Sequence, residues 1–336
     1  MDANLDDIYQ SRIRNVEKEL DILKSIQNEN SALKKELEEQ KLIIDSHQQI
    51  LNIVLSNRSI KATGFLRKLQ LHTYEMLRFL IKVFEKYDFD YWLDYGTLIG
   101  AYRHGGFIPW DDDIDTSMPR PQFEKFLKVF PKEVERFDGL KDKVVIRIGS
   151  SVFKDAKLSD NPKFSPVFQF YTKEPFAILE VYPADFVKLD DDDPATLTNY
   201  KRKFYKVRSK FKDDYVNGRC TYEEGILRGN KELGICEEET EYLTCSVDGP
   251  PRKPLHVSKI YPLKKMIFED TEMNVPCRPI ECLSAYYNDD PTKIPPRIHH
   301  HNTTEVVKRK LKGKDVDLFE LYDETLAYWR NINDNF

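Results

Sequence analysis

The first sixty residues of this chain contain neither glycine nor proline: Gly64 is the first glycine and Pro109 the first proline. A stretch without either breaker, and with Tyr9 as its one aromatic, cannot turn back on itself or fill a core of its own. A continuous helix is what remains. From Val16 onward aliphatic residues recur at alternating spacings of three and four. With Asn30 at heptad position a, the a series is Val16, Leu23, Asn30, Leu37, Ile44 and Leu51, and the d series is Ile26, Leu33, Gln40, His47 and Val54. Glu29 and Glu36 fall at g, and Lys34 and Lys41 at the e positions five residues on, the pairs that bridge chains in a parallel dimer. A single Asn at a fixes register and favours two strands. The expectation is a coiled-coil segment over residues 1–60 that makes a homo-oligomer through residues 16–58. Gln40 and His47 weaken the d seam, His47 as a solvated polar residue rather than a ligand.

The remainder, residues 61–336, is expected to form one catalytic domain with its core at about 75–300. The whole chain of 336 residues is 40% hydrophobic, 32% charged and 12% aromatic, which excludes collagen, a disordered chain and a membrane-embedded protein. No run approaches the roughly 18 apolar residues of a spanning helix. The net charge of -5 gives no electrostatic case for nucleic acid as a partner. The acidic start, Met1 to Asp7, lacks the basic-then-apolar order of a signal peptide. Cys220, Cys236, Cys245, Cys277 and Cys282 are odd in number and contain no C-x-x-C pair, so reduced thiols are expected rather than a disulfide frame or a zinc site. These features point to a cytoplasmic protein with at most peripheral contact at the inner membrane face.

Helix and strand signals alternate beyond residue 61. Leu66, Leu69, Met76, Leu77, Leu80, Val83 and Phe84 place a helix over 65–87. Tyr91 to Tyr95 reads as a strand that Gly96-Thr97 turns into a helix around Leu98 to Tyr102. Asp113 to Met118 reads as a strand stopped by Pro119, with a helix over Gln122 to Val129. Val144 to Ile148 and Phe176 to Tyr182 read as further strands. The class is α/β or α+β around a mixed sheet. Asp190 to Asp193 read as a solvated loop and His299-His300-His301 as a surface turn. Between residues 164 and 215 aromatic and basic residues interleave, which fits either a surface for an anionic glycan or lipid headgroup, or a helix with one aromatic and one charged face.

The densest chemical signal is Asp94 to Asp115, which ends in Asp111-Asp112-Asp113-Ile114-Asp115. Four carboxylates within five residues repel one another unless cations neutralise them. On a strand, Asp113 and Asp115 would point to one face, a donor set suited to Mg²⁺ or Mn²⁺. A third acid should come from a neighbouring strand. Glu180 fits, because it interrupts an apolar run, where an unpartnered acid is costly. Upstream, Gly96 lets backbone approach a phosphate, and the helix that follows offers N–H donors at its start.

Asp94 to Gly100, Arg103-His104-Gly105-Gly106-Phe107-Ile108-Pro109-Trp110-Asp111-Asp112-Asp113-Ile114-Asp115 and Met118-Pro119-Arg120 resemble the signature of the LicD family, which includes phosphocholine transferases and the fukutin-related ribitol-phosphate transferases. Similar pieces follow at Val181 to Asp185, Tyr261 to Lys265 with Phe268-Glu269, and Tyr286-Tyr287 to Pro295-Pro296. Where the family more often has Asp, the third acid here is Glu180; Asp270 and Asn288 stand where glycine is usual.

The resemblance implies a nucleotidyltransferase-like mixed sheet flanked by helices. It also implies transfer of a phospho-alcohol, first of all phosphocholine, from a CDP-activated donor to a hydroxyl of a cell-surface polysaccharide or its lipid-linked precursor, with release of CMP. Asp113, Asp115 and Glu180 would hold the metal, and Gly96, Thr97, Arg103, His104, Lys264 and Lys265 would bind substrate. Asp111 and Asp112 would support the ligands or act as general base. Three other readings share parts of this pattern. They are a CDP-ribitol or CDP-glycerol transferase, an inactive coiled-coil scaffold, and a nucleotidyltransferase acting on RNA or protein. The intact acid triad argues against the scaffold, and the net charge argues against RNA.

Overall fold

The computed structural model describes residues 2–55, 60–150, 152–153, 161–189, 191, 193–287, 290–295 and 317–336. They form two compact units, Met1–Val54 and Leu55–Phe336. The first is helix α1, Asp2–Leu55, unbroken over 54 residues and so about 80 Å long. Its heptad aliphatics lie in water: Val16 is 64% exposed, Leu23 62% and Leu37 56%.

The second unit is built on a mixed sheet. Strands β1 (Trp92–Leu93), β2 (Ile114–Pro119), β3 (Val144–Gly149), β4 (Val167–Thr172) and β5 (Ile178–Val187) lie in the order β1-β2-β5-β4-β3. The β2–β5 pair is parallel, and the other neighbours in this row are antiparallel. Beyond the centre, β5 also pairs with β6 (Ile235–Cys236) and β7 (Tyr242–Thr244), and β7 with β8 (Leu255–His256). A separate hairpin joins β9 (Lys264–Phe268) to β10 (Thr271–Val275).

Strand alternation divides the sheet into two faces. Ile114, Met118, Phe168, Phe170, Leu179 and Val181 belong to the main core. That core is closed by helices α2 (Gly64–Lys86), α4 (Arg120–Glu135) and α9 (Leu318–Asp334), whose Phe79, Phe84, Phe126, Phe130 and Trp329 interlock largely edge to face. A second cluster lies under α6 (Pro194–Val216) and α7 (Tyr222–Leu233), through Tyr200, Phe204, Val207, Phe211, Tyr222 and Ile226. Short helices α3 (Tyr95–His104), α5 (Leu140–Lys143) and α8 (Pro279–Tyr286) complete the unit.

The mixed sheet, its flanking helices and the long N-terminal helix agree with the reading of the sequence, with revised boundaries. Tyr95 opens α3 instead of closing a strand, because Asp94 caps the helix by accepting from the Tyr95 N–H at 3.0 Å. Asp113 precedes β2, whose ladder begins at Ile114 opposite Leu179, so Asp113 reaches Asp115 from a loop rather than from the same strand. Helix α4 runs from Arg120 through Pro131 to Glu135, and β5 continues past Tyr182 to Val187. The aromatic and basic stretch is largely α6, with Tyr200, Phe204, Val207 and Phe211 turned inward. Asp193 caps that helix; Asp190, Asp192, Asn288 and His299 to His301 lie outside the described residues.

Candidate active site

The face of the sheet opposite the aromatic core carries the acids. In register, Asp115 on β2 lies beside Glu180 on β5, Glu180 beside Gln169 on β4, and Gln169 beside Arg147 on β3. A row of two acids, an amide and a guanidinium therefore crosses four strands. Glu180 is oriented by two donors, the Gln169 amide and the Tyr182 hydroxyl, both at 2.5 Å. Space for the Gln169 side chain exists because residue 149 is glycine: a Cβ there would lie 2.7 Å from its amide carbon.

Asp115 is held from the other side by α3. The Thr97 hydroxyl accepts from the Asp115 N–H at 2.8 Å, and the Asp94 N–H donates to the Asp115 carbonyl at 3.1 Å. Burial, and then the negative charges of Asp113, Glu180, Asp111 and Asp94, push the Asp115 carboxyl well above the usual carboxylate range. Asp111, Asp112 and Asp113 bring carboxylate oxygens within 4.8 Å of one another. Gly96 serves this cluster directly: a Cβ there would stand 2.8 Å from Asp111 Oδ2. Small size at position 96 thus admits a carboxylate to the start of a helix, where the backbone dipole favours negative charge.

The loop that carries these acids is fixed by residues far away in sequence. Gln70 on α2 donates to the carbonyls of Asp111 at 2.9 Å and Ile108 at 3.3 Å. Arg67 donates to Gln70 Oε1 at 3.3 Å and grips Glu269 with two bonds of 2.9 and 2.6 Å, while Lys61 adds a third at 2.7 Å. Burial would raise the Glu269 carboxyl, but Arg67 and Lys61 hold it below its ordinary value. Glu269 itself accepts from the Phe107 N–H at 3.3 Å and donates its own N–H to Gly105. Glu269 (φ 63°) and Tyr95 (φ 45°) both adopt the left-handed region that non-glycine residues avoid, and both touch this frame.

Behind the site, Asp94 is fully buried and accepts from the Ser117 hydroxyl at 2.6 Å and the Tyr286 hydroxyl at 2.9 Å, with Arg252 Nη1 at 3.7 Å. Tyr95 packs between Tyr182 and Tyr286, ring centroids 5.0 and 4.5 Å away. Tyr287 is 38% exposed, and after burial the charges of Asp115, Asp94, Asp111 and Asp113 are what raise its hydroxyl pKa. An aromatic wall therefore stands beside the acids.

The structure brings Asp111, Asp112 and Asp113 together at Gly96, and sets Asp115, held by Thr97, beside Glu180; among the described residues the carboxylate trio within 4.8 Å is Asp111, Asp112 and Asp113, not the expected Asp113, Asp115 and Glu180. Arg103 and His104 sit at the far end of α3. Arg103 Nε donates to His104 Nε2 at 3.0 Å, its Nη1 donates to the Lys293 carbonyl at 2.7 Å, and its guanidinium lies over the Trp110 ring. Burial lowers Arg103 to about 10 against the opposing pull of Asp111, and burial with the Arg103 charge lowers His104 to about 4. Lys264 and Lys265 are exposed on β9, and among the described residues no hydrogen bond or ion pair joins them to the acids. The residues that the sequence does not single out are Gln70, Gln169, Arg147 and Arg252, and Glu269 is matched by the resemblance without a role. Gln70 interrupts the apolar face of α2 between Leu66 and Thr73, a signal of the kind that singled out Glu180.

A helix start pressed against adjacent acid-bearing strands of a mixed sheet is the arrangement that the resemblance implied. Residues 88–188 match the family described as LicD/FKTN/FKRP, nucleotidyltransferase domain. The lipopolysaccharide cholinephosphotransferase LicD of Haemophilus influenzae is 47% identical over 68 residues, 20% of this chain and 26% of that protein. The human ribitol 5-phosphate transferase FKRP is 49% identical over 41 residues, 12% of this chain and 8% of that protein. The chain thus spans about a quarter or less of the length of these curated relatives. No described helix is long and apolar enough to cross a membrane.

Proposed function

We propose that this chain transfers phosphocholine from CDP-choline to a hydroxyl of a cell-surface polysaccharide or its lipid-linked precursor, with Mg²⁺ or Mn²⁺ and with release of CMP. The observation that carries the reading is the half-buried Asp115 beside Glu180, crowded by the charges of Asp113 and Asp111, with Asp111, Asp112 and Asp113 together at the start of α3. An all-carboxylate donor set suits a hard divalent cation, and the mutual repulsion at Asp115 is what such a charge relieves. Asp113, Asp115 and Glu180 would hold it, and when bound it would neutralise charge on the diphosphate and on the leaving CMP.

The protein's own groups do the rest. The start of α3 at Gly96-Thr97 favours an anionic phosphate. Gln169 and Tyr182 hold Glu180 in one orientation. The acceptor oxygen attacks the phosphorus that carries choline, the bond from that phosphorus to the CMP oxygen breaks, and the acceptor proton passes to a carboxylate. Asp111 is better placed for that proton than Asp112, because it is half-buried whereas Asp112 is only 5% exposed. Tyr95, Tyr182, Tyr286 and Tyr287 supply an aromatic wall suited to a quaternary ammonium, which favours choline over ribitol or glycerol. The heptad pattern of α1 supports a parallel homodimer, and the reduced cysteines support a cytoplasmic setting.

The test is CMP release from CDP-choline, CDP-ribitol and CDP-glycerol with Mg²⁺ or Mn²⁺, for the intact protein and for Asp113→Asn and Asp115→Asn. Turnover with CDP-choline that both substitutions abolish is expected. No turnover with any donor, or unchanged turnover in both variants, would sink the reading.

A further inference from the structure

The outer face of α6 carries a dense run of basic side chains. Residues 201–212 contain seven basic and no acidic side chains, in a chain whose net charge is -5. Helical periodicity sorts them: Phe204, Val207 and Phe211 face the core, while Arg202, Lys203, Lys206, Lys210 and Lys212 are exposed. No ion pair among the described residues takes up any of these five. The acids that end the helix, Asp213 and Asp214, pair with Arg219, although Asp214 also feels the Lys210 charge. Five cations without an ion-pair partner along roughly 15 Å of helix repel one another, and proteins keep such an array where a partner of opposite sign meets it.

We infer that this face docks on an anionic phospholipid bilayer. Four of the five cations are lysines, compact hydrated charges on flexible stems, which suit a diffuse negative surface better than fork-like recognition of one phosphate group. Tyr205, 52% exposed among the lysines, is an amphipathic ring of the kind that settles at headgroup depth. The helix also connects to the catalytic site. Lys201 Nζ donates to the Tyr286 carbonyl at 3.0 Å, and the Tyr286 hydroxyl binds Asp94, the cap of α3. A bilayer on this face would thus be tied, through Lys201 and Tyr286, to the residue that caps α3. The docking itself rests on no particular reaction.

The experiment is sedimentation of the full chain with extruded vesicles of phosphatidylcholine alone or with one-third phosphatidylglycerol, at low and high salt, without substrate. Binding to the anionic vesicles only, and its loss at high salt, are expected. The triple variant Arg202→Gln, Lys203→Gln, Lys206→Gln should weaken that binding about a hundredfold. A control with the same charge change on the exposed face of α4, Lys125→Gln, Lys128→Gln, Lys132→Gln, should leave it intact. Equal binding to both vesicle types, no binding at low salt, or equal loss in the two triple variants overturns the inference. So does retention on a soluble anionic polysaccharide or oligonucleotide with no vesicle binding. Because no CDP donor is present, failure here and failure of the transferase reading are separate results.

Discussion

The long N-terminal helix keeps aliphatic side chains in water, and the second unit keeps carboxylates out of it. Both arrangements are costly in a lone chain. Each heptad aliphatic of α1 withheld from burial forgoes about 1.5–3 kcal/mol, and an isolated helix has little tertiary packing to make up the difference. Asp115, pressed among like charges, resists ionisation. The two regions differ in what relieves them. Another apolar helix answers α1, whereas positive charge or a proton answers Asp115. Composition averages hide this contrast, because exposed leucines and buried aspartates cancel in any mean.

The largest expected effect breaks the contrast on the acid side. Asp115→Asn removes the charge but keeps the shape, so CMP release should fall at least about a thousandfold if catalysis needs that carboxylate. The ligand-free fold should survive, and its thermal midpoint should stay level or rise, because a buried repulsion has gone. A collapse in stability would mean that Asp115 is a structural acid. On the other side, deletion of residues 1–55 should lower the mass seen by sedimentation from that of a dimer to that of a truncated monomer, and leave CMP release to a soluble acceptor within about twofold. A monomer both with and without the helix removes the coiled-coil dimer.

The third effect is smaller and concerns the frame of the acid loop. Gln70→Leu leaves two loop carbonyls without their donor, so metal-ion affinity and turnover should each drop about tenfold, with roughly 1–3 kcal/mol lost in stability. Isothermal titration with Mn²⁺ separates the two outcomes: lost stability with unchanged Mn²⁺ affinity would make Gln70 a core residue only.

How much of this could be read from the chain follows from how far each interaction reaches. Helix α1 was legible because its signal is local, a period and an absence of breakers. The pairing of Asp115 with Glu180 was legible because an acid in an apolar strand declares a partner, and parallel strands brought the two into register. Asp113 was placed one step too far along, on the strand, since only the β2–β5 ladder reveals that pairing begins at Ile114. The brace of the acid loop was not legible. Gln70 meets Asp111 across 41 residues and Arg67 meets Glu269 across 202, and no short pattern encodes either distance. Arg103 was chosen for its charge, yet the fold uses that charge to hold the segment around Lys293.

The smallest effect compares two acids of opposite behaviour. Burial would push Glu133 up, but hydrogen bonds from Lys86, Tyr87 and Arg136 hold it at about 2. A folded-state value below the unfolded one adds stability above the unfolded pKa of about 4.3, and that stability is lost as pH falls through the folded value. Asp115 runs the other way: its raised value adds stability only at low pH, and this disappears as pH climbs. Lys86 and Arg136 are 37% and 48% exposed, so solvent screens the Glu133 pairs. Glu133→Gln should therefore cost only about 1–2 kcal/mol at pH 7 by denaturant unfolding, and the difference from the parent should shrink as pH falls from 4.5 toward 2. A difference that stayed constant over that range would show that Glu133 contributes through packing and not through its charge.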